Sequence, residues 1–197
     1  KKPDHDTVGY YQKANKLLDE NLEVAEEIQK IIKKSEEGDK KTIELLRKAY
    51  TPVLKGMNES LKKINIEIEK YIPESKFLEN KSVEEVVSKL KNSKYSDTEE
   101  GAYFIDMEPF GIKGRNTKFF FLRKDGTTLY ATRDIAYHLW KAKKADLLVN
   151  ILGEDHKLES KQVETALKII GTENIPKVIF YSFVSLPGGK MSKRKNR

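Results

Sequence analysis

Apolar positions recur every three or four residues from 7 to about 34, at Val8, Tyr11, Leu18, Leu22, Ala25, Ile28 and Ile32. That spacing predicts one long amphipathic helix, with Asp4 or Asp6 as its cap. Glu36-Glu37-Gly38-Asp39 interrupts the pattern, and a second helical run follows at Ile43, Leu46, Ala49, Tyr50, Val53, Met57, Leu61 and Ile64. Pro52 either kinks that run or opens a new helix at its first turn, because proline lacks the N–H of an internal helical bond. Two long helices joined by a short polar turn predict a helical hairpin over residues 1–65.

The period then changes. Alternating apolar residues over 66–72 predict a short strand leading into Pro73-Glu74-Ser75. Ser82 and Glu85 stand in capping-box spacing at the start of a helix over 82–91. Strands are expected over 102–106 and 118–123, with Asp125-Gly126 as a hairpin turn before Leu129-Tyr130-Ala131. Beyond this the pattern reads helix 134–143, strand 147–152, helix 157–170 and strand 178–184. Alternating elements of this length predict a parallel sheet flanked by helices, an α/β class. Ligands of such sheets sit beyond the carboxyl ends of the strands. That rule selects Gly153-Glu154-Asp155-His156 and the polar, glycine-rich run from Ser185 to Arg194.

Composition narrows the chemistry. The chain has 197 residues, 38% of them hydrophobic, enough for a packed core. It has no cysteine, which excludes disulfides, thiolate catalysis and cysteine metal sites. His5, His138 and His156 are too widely spread for local metal-ligand spacing, so no metal site is expected. No apolar run is long enough to span a membrane and no signal segment opens the chain, so a cytoplasmic protein is expected. The net charge of +7 is uneven: residues 1–100 carry 20 Lys/Arg against 21 Asp/Glu, and residues 101–197 carry 18 against 10. A basic second half suits a polyanion such as RNA or a nucleoside triphosphate, or is a solubilising lysine-rich surface. Phosphate-loop, dinucleotide-binding and nucleophile-elbow strings are absent.

Three strings remain. Lys190-Met191-Ser192-Lys193-Arg194 follows Pro187-Gly188-Gly189, and five of the last eight residues are Lys or Arg, so a plain basic tail is the bland alternative. Tyr130 and Asp134 lie four apart within DGTTLYATRDIAYHLW. A guanidinium needs a carboxylate for charge-assisted bonding and an aromatic wall to stack on, and this pair supplies both. Equally, a strand tyrosine and a dipole-favoured aspartate at a helix start fit the pattern. Glu74 in Tyr71-Ile72-Pro73-Glu74-Ser75 is by itself an ordinary loop residue. His138, near Trp140 on a helix, reads as packing or surface.

Together these strings resemble arginyl-tRNA synthetases of the class I aminoacyl-tRNA synthetases, in archaeal-like form and over essentially the whole chain. The Lys190–Arg194 string is similar to the KMSKS loop of the class, with Asn196 where glycine is common. The resemblance implies that Lys190, Lys193 and Arg194 place cations where charge builds up on the departing pyrophosphate. It also implies ATP contacts from Gly153, Val184, Met191 and Ser192. Arginine binding falls to Tyr130, Asp134, Glu74 and His156, the last standing near a position that is glutamine in many members, with Asp155 or a structural turn as alternatives. Two carboxylates around one guanidinium would discriminate against lysine.

The fold implied is the second half of a Rossmann-like parallel sheet over 66–197, ending in the KMSKS-type loop and preceded by the hairpin as an insertion over 1–65. The HIGH string of the class is not present in the chain, so a part of a larger enzyme, inactive alone, is expected. The reaction implied is activation of arginine by ATP with Mg2+ to arginyl-adenylate, then transfer to tRNA(Arg), with no tightly bound cofactor and a monomeric enzyme. The rival is a non-catalytic RNA-binding or assembly module on a synthetase-like scaffold. A class I synthetase for another amino acid is disfavoured by the tyrosine and the two carboxylates.

Overall fold

The run predicted as one helix is two in the computed structural model, which describes residue 2, residues 4–114 and 117–182, and the backbone of 185–186 and 189–190. α1 spans His5–Glu20 and α2 spans Leu22–Glu36. Asn21 between them is extended (φ −143°, ψ 114°), and its side chain accepts from the Glu23 N–H at 2.9 Å. A short polar side chain that satisfies the backbone locally competes with continuing the helix, and hydrophobic periodicity does not register it. Asp4 is the N-cap of α1 but its side chain makes no capping bond. α3 (Lys40–Lys62) starts properly, with Asp39 accepting from the Thr42 N–H at 2.8 Å, and it runs through Pro52 as a single helix.

The chain divides into two compact units, Lys1–Ser75 with Val184–Arg197, and Lys76–Phe183. In the first, α1 and α2 bury no residue, and α3 buries Ile43 and Gly56. Gly56 is buried for a specific reason: a Cβ there would lie 2.6 Å from the Asp4 Cβ and 2.2 Å from its Oδ1. The amino-terminal segment therefore rests directly on the α3 backbone. Gly56→Ala is expected to cost about 1–3 kcal/mol by overpacking this contact. A lowered urea midpoint would register it, and an unchanged midpoint would show that the Asp4 segment moves aside freely. The strand expected over 66–72 does not form. Ile66 and Ile68 are exposed, and no strand pairing includes this stretch among the described residues.

The second unit carries the core. The short α4 (Ser75–Glu79) inserts Phe77 against Tyr137 and Trp140, with ring centroids at 5.8 and 6.2 Å. α5 (Ser82–Lys91) buries Val83, Val86 and Leu90 on one stripe. Its cap differs from the expected one: Lys81 is the N-cap in the left-handed region (φ 64°), and Asn80 Oδ1 accepts from the Ser82 N–H at 3.1 Å. A strand without apolar alternation, β1 (Ser96–Glu99), pairs antiparallel with β2 (Ala102–Asp106), which pairs antiparallel with β3 (Lys118–Leu122). Such a polar edge strand is specified by its partner rather than by its own pattern.

After β3 the expected turn at Asp125-Gly126 closes a minimal hairpin, with Leu122 bridged antiparallel to Thr128 and the Arg123 N–H donating to the Thr127 carbonyl at 2.9 Å, but its second arm stops there. Asp125 Oδ1 accepts from the Thr127 N–H at 3.0 Å and hydroxyl at 2.7 Å, which holds its carboxyl below the usual range, and Gly126 takes the positive φ of 83°. The helix then begins earlier than its pattern suggests: α6 spans Tyr130–Ala142. It buries Ala131, Thr132, Ile135, Ala136 and His138, and the Thr132 hydroxyl donates to the Phe121 carbonyl of β3 at 2.7 Å.

The predicted α/β crossover follows. β4 (Val149–Gly153), α7 (Lys157–Ile169) and β5 (Lys177–Tyr181) form a parallel pair in register from Val149↔Lys177 to Gly153↔Tyr181. Parallel strands are apolar on both faces because both are normally covered. Here Val149, Ile151, Ile179 and Tyr181 stand exposed. In the first unit the backbone of β6 (Ser185–Leu186) pairs antiparallel with that of β7 (Gly189–Lys190). Among the described residues no helix is long and apolar enough to cross a membrane.

Candidate functional site

Starting α6 at Tyr130 rather than at Asp134 changes the geometry of the predicted pair. Tyr130 and Asp134 now lie one turn apart on the same helix face, and His138 and Lys141 continue that stripe. Opposite them, Gly153 ends β4, a single 3-10 turn carries Glu154, Asp155 and His156, and α7 brings Glu159. The Asp155 carboxylate folds back over Gly153, where a Cβ would lie 2.5 Å from Asp155 Oδ1 and would turn that exposed side chain aside.

Three of the predicted residues are thus brought together within the second unit. The Tyr130 hydroxyl donates to Glu159, and His156 Nδ1 lies 3.0 Å from Glu159 Oε2. Asp134 lies behind this bridge: its Oδ1 is 3.3 Å from His138 Nδ1, and 43% of its side chain remains exposed. Its charge is felt by Tyr130, Tyr137, Lys141 and His156 alike. Desolvation first, then the Glu159 charge and hydrogen bond and the Asp134 charge, push the Tyr130 phenol up, so it stays a neutral donor. Burial pulls the Lys141 amine down against the attraction of Asp134. A cavity of about 540 Å³ opens beside Tyr130 and Glu159, walled by Phe119, Phe120 and Gln162, a volume suited to a small ligand.

Glu74, the remaining predicted arginine contact, is an exposed residue of the first unit, just before α4. Lys190 contributes its backbone to β7. Val184, Met191, Ser192, Lys193 and Arg194 lie outside the described residues.

Sequence reasoning missed Glu159, His138, Asn150 and Lys141. Glu159 stands three residues after His156, and His138 four after Asp134, so helical spacing alone flags both. His138 is buried, as a packing role requires, but it is also hydrogen-bonded. Asn150 is a polar residue inside an apolar strand, a signal in itself.

His156 supplies a pH prediction. Its pKa is raised, chiefly by the hydrogen bond to Glu159 and further by the charges of Asp155, Glu159 and Asp134, with burial opposing. A raised folded-state value stabilises fully below the unfolded value of about 6.5 and is lost as pH climbs through the folded one. Glu159→Gln is therefore expected to lower Tm more at about pH 6 than at about pH 8. A Tm difference independent of pH would remove His156 from this pairing.

An α/β crossover with a polar cluster beyond the carboxyl end of its first strand is the arrangement of a class I aminoacyl-tRNA synthetase core, and the fold is shared with solved members. The structure of Thermus thermophilus arginyl-tRNA synthetase superposes with a TM-score of 0.61 at 20% identity, covering 75% of this chain and 32% of that one. That of the Plasmodium falciparum enzyme gives 0.64 at 12%, covering 90% and 33%. Residues 1–195 match the model of the family described as tRNA synthetases class I (R), catalytic domain, and the chain belongs to that family. Its relatives include the arginine–tRNA ligases of Methanococcus aeolicus, 44% identical over 98% of this chain and 34% of that protein, and of Archaeoglobus fulgidus, 40% identical over 100% and 35%. The chain spans about a third of the length of these relatives.

Proposed function

We propose that this chain is part of an enzyme that activates arginine with ATP to arginyl-adenylate and transfers it to tRNA(Arg). The observation that carries the reading is Asp134: a part-exposed carboxylate, backed by His138, on the helix face that also presents Tyr130. In this reading Asp134 pairs with the guanidinium and Tyr130 forms its wall. His156 supplies a polar contact to arginine, and Glu74 keeps the arginine-binding role that the family resemblance implies for it. Gly153, Val184, Met191 and Ser192 contact ATP, which enters with Mg2+ as a substrate. Lys190, Lys193 and Arg194 stabilise the departing pyrophosphate. Catalysis is chiefly positioning and charge stabilisation. The enzyme works in the cytoplasm as a monomer, and residues 1–65 are an insertion in its catalytic core.

The test is arginine-dependent exchange of pyrophosphate into ATP by the full-length protein with tRNA(Arg) present. Turnover specific for arginine over lysine is the expected result. RNA binding without exchange would favour a non-catalytic module on the same scaffold. Residues 1–197 alone are expected to give no exchange.

A further inference from the structure

His138 is a polar side chain only 5% exposed, placed behind Asp134 rather than in contact with the cavity. Its environment settles which ring nitrogen carries the proton. The Lys141 Nζ lies 2.6 Å from Asn150 Oδ1, and an ammonium only donates, so the atom it meets is the amide oxygen. The Asn150 Nδ2, a donor, therefore faces His138 Nε2 at 2.8 Å, which must accept through its lone pair. The ring proton is then on Nδ1, where it is hydrogen-bonded to the Asp134 main-chain carbonyl at 2.7 Å, with the carboxylate Oδ1 a secondary contact 3.3 Å from the same nitrogen.

We propose that His138 is a positioning residue for the substrate-binding carboxylate of Asp134, locked as the neutral Nδ1–H tautomer by Asn150, whose amide Lys141 in turn orients. The inference rests on the arginine reading above and adds to it the group that holds Asp134 in place, chiefly through its main-chain carbonyl. The lock matters because of charge. A neutral imidazole orients Asp134 and leaves its full negative charge for the guanidinium, whereas an imidazolium would neutralise much of it. Lys141 prevents that outcome, since turning the Asn150 amide to offer its oxygen to Nε2 would point the amide N–H groups at the ammonium. The other groups facing the ring are Tyr137 on α6, in edge contact at 5.9 Å, and Ser160 and Glu164 of α7, which share a small cleft with Asp134, His138 and Asn150; Glu164 is itself paired with Lys168.

The experiment uses the full-length enzyme and measures arginine-dependent pyrophosphate exchange with tRNA(Arg). His138→Phe keeps a ring of similar size and removes the donor; KM for arginine is expected to rise roughly 10- to 100-fold, as for other partners that orient a ligand-binding group, with kcat and KM for ATP changed less than about threefold. His138→Asn returns an amide donor to the place of Nδ1 and is expected to recover KM to within about threefold of wild type. Asn150→Leu removes the donor to Nε2 and is expected to raise KM for arginine in the same direction, with KM for ATP changed less than about threefold.

An unchanged arginine KM in the Phe variant, or an equal loss with ATP and no rescue by Asn, would overturn the proposal. Were the Phe variant to misfold, an unchanged arginine KM in Asn150→Leu would overturn it alone. Failure of this inference is separable from failure of the functional reading: wild-type exchange that responds to arginine but not to these substitutions rejects only the role of His138. A wild type that does not activate arginine rejects both.

Discussion

Replacing Asp134 with alanine in the full-length enzyme is expected to raise KM for arginine by two powers of ten or more, with KM for ATP within about threefold of wild type. Removing one partner of a hydrogen-bonded charge pair costs about 3–5 kcal/mol when the pair is buried, and somewhat less here because the carboxylate is 43% exposed; about 3 kcal/mol corresponds to roughly a hundredfold. The effect is expected to be specific to arginine because Asp134, on α6, is proposed to meet the guanidinium, whereas the proposed ATP contacts are other residues. Asp134→Asn tests the charge separately from the shape. It retains the side-chain outline beside His138 but offers a guanidinium no carboxylate, so it should lose nearly as much. Glu74→Ala is expected to act in the same direction. Initial rates of pyrophosphate exchange at varied arginine decide the matter, and unchanged arginine kinetics in the Asp134 variants would remove that residue from the pocket.

The second large effect is on stability. Phe121→Ala is expected to cost about 3–5 kcal/mol, the range for deleting a buried aromatic side chain from a core. Phe121 is completely buried on β3, beside a backbone carbonyl that accepts from Thr132 and so ties β3 to α6. Emptying that position therefore loosens the start of the helix that carries Tyr130 and Asp134. Urea unfolding should show a lowered midpoint, and the surviving folded protein should bind arginine less well. Leu22→Ala is the control. Leu22 is 84% exposed at the start of α2, and its loss should stay within about 0.5 kcal/mol. Equal midpoints for the two variants would contradict the placement of the core.

Legibility differed from element to element for physical reasons. The βαβ crossover of β4, α7 and β5 was readable because strand and helix periods differ and each spans enough residues to show its own. The ends of the elements were less so. Asn21 divides a predicted helix by bonding its own backbone neighbourhood, and Asn80 caps α5 from a position one residue before the left-handed Lys81. Those choices turn on one hydrogen bond each. β1 was invisible because Ser96–Glu99 forms a strand only through the partner that β2 offers, whereas among the described residues no strand pairs with 66–72.

For the candidate site the division is similar. The local chain by itself determined that Asp134, His138 and Lys141 share one face, because residues three or four apart on a helix must; Tyr130 joins that face only because α6 starts four residues earlier than its pattern suggests. Packing alone decided that Asn150 of β4 reaches His138, and that Glu159 of α7 joins Tyr130 to His156. Such contacts join separate elements, and no period in the chain encodes which side chain of one element will meet which of another. They follow from how α6 and α7 settle against the strands, a result of burying Ile135, Ala136, Val163 and Ala166 together rather than of any rule about the polar residues themselves.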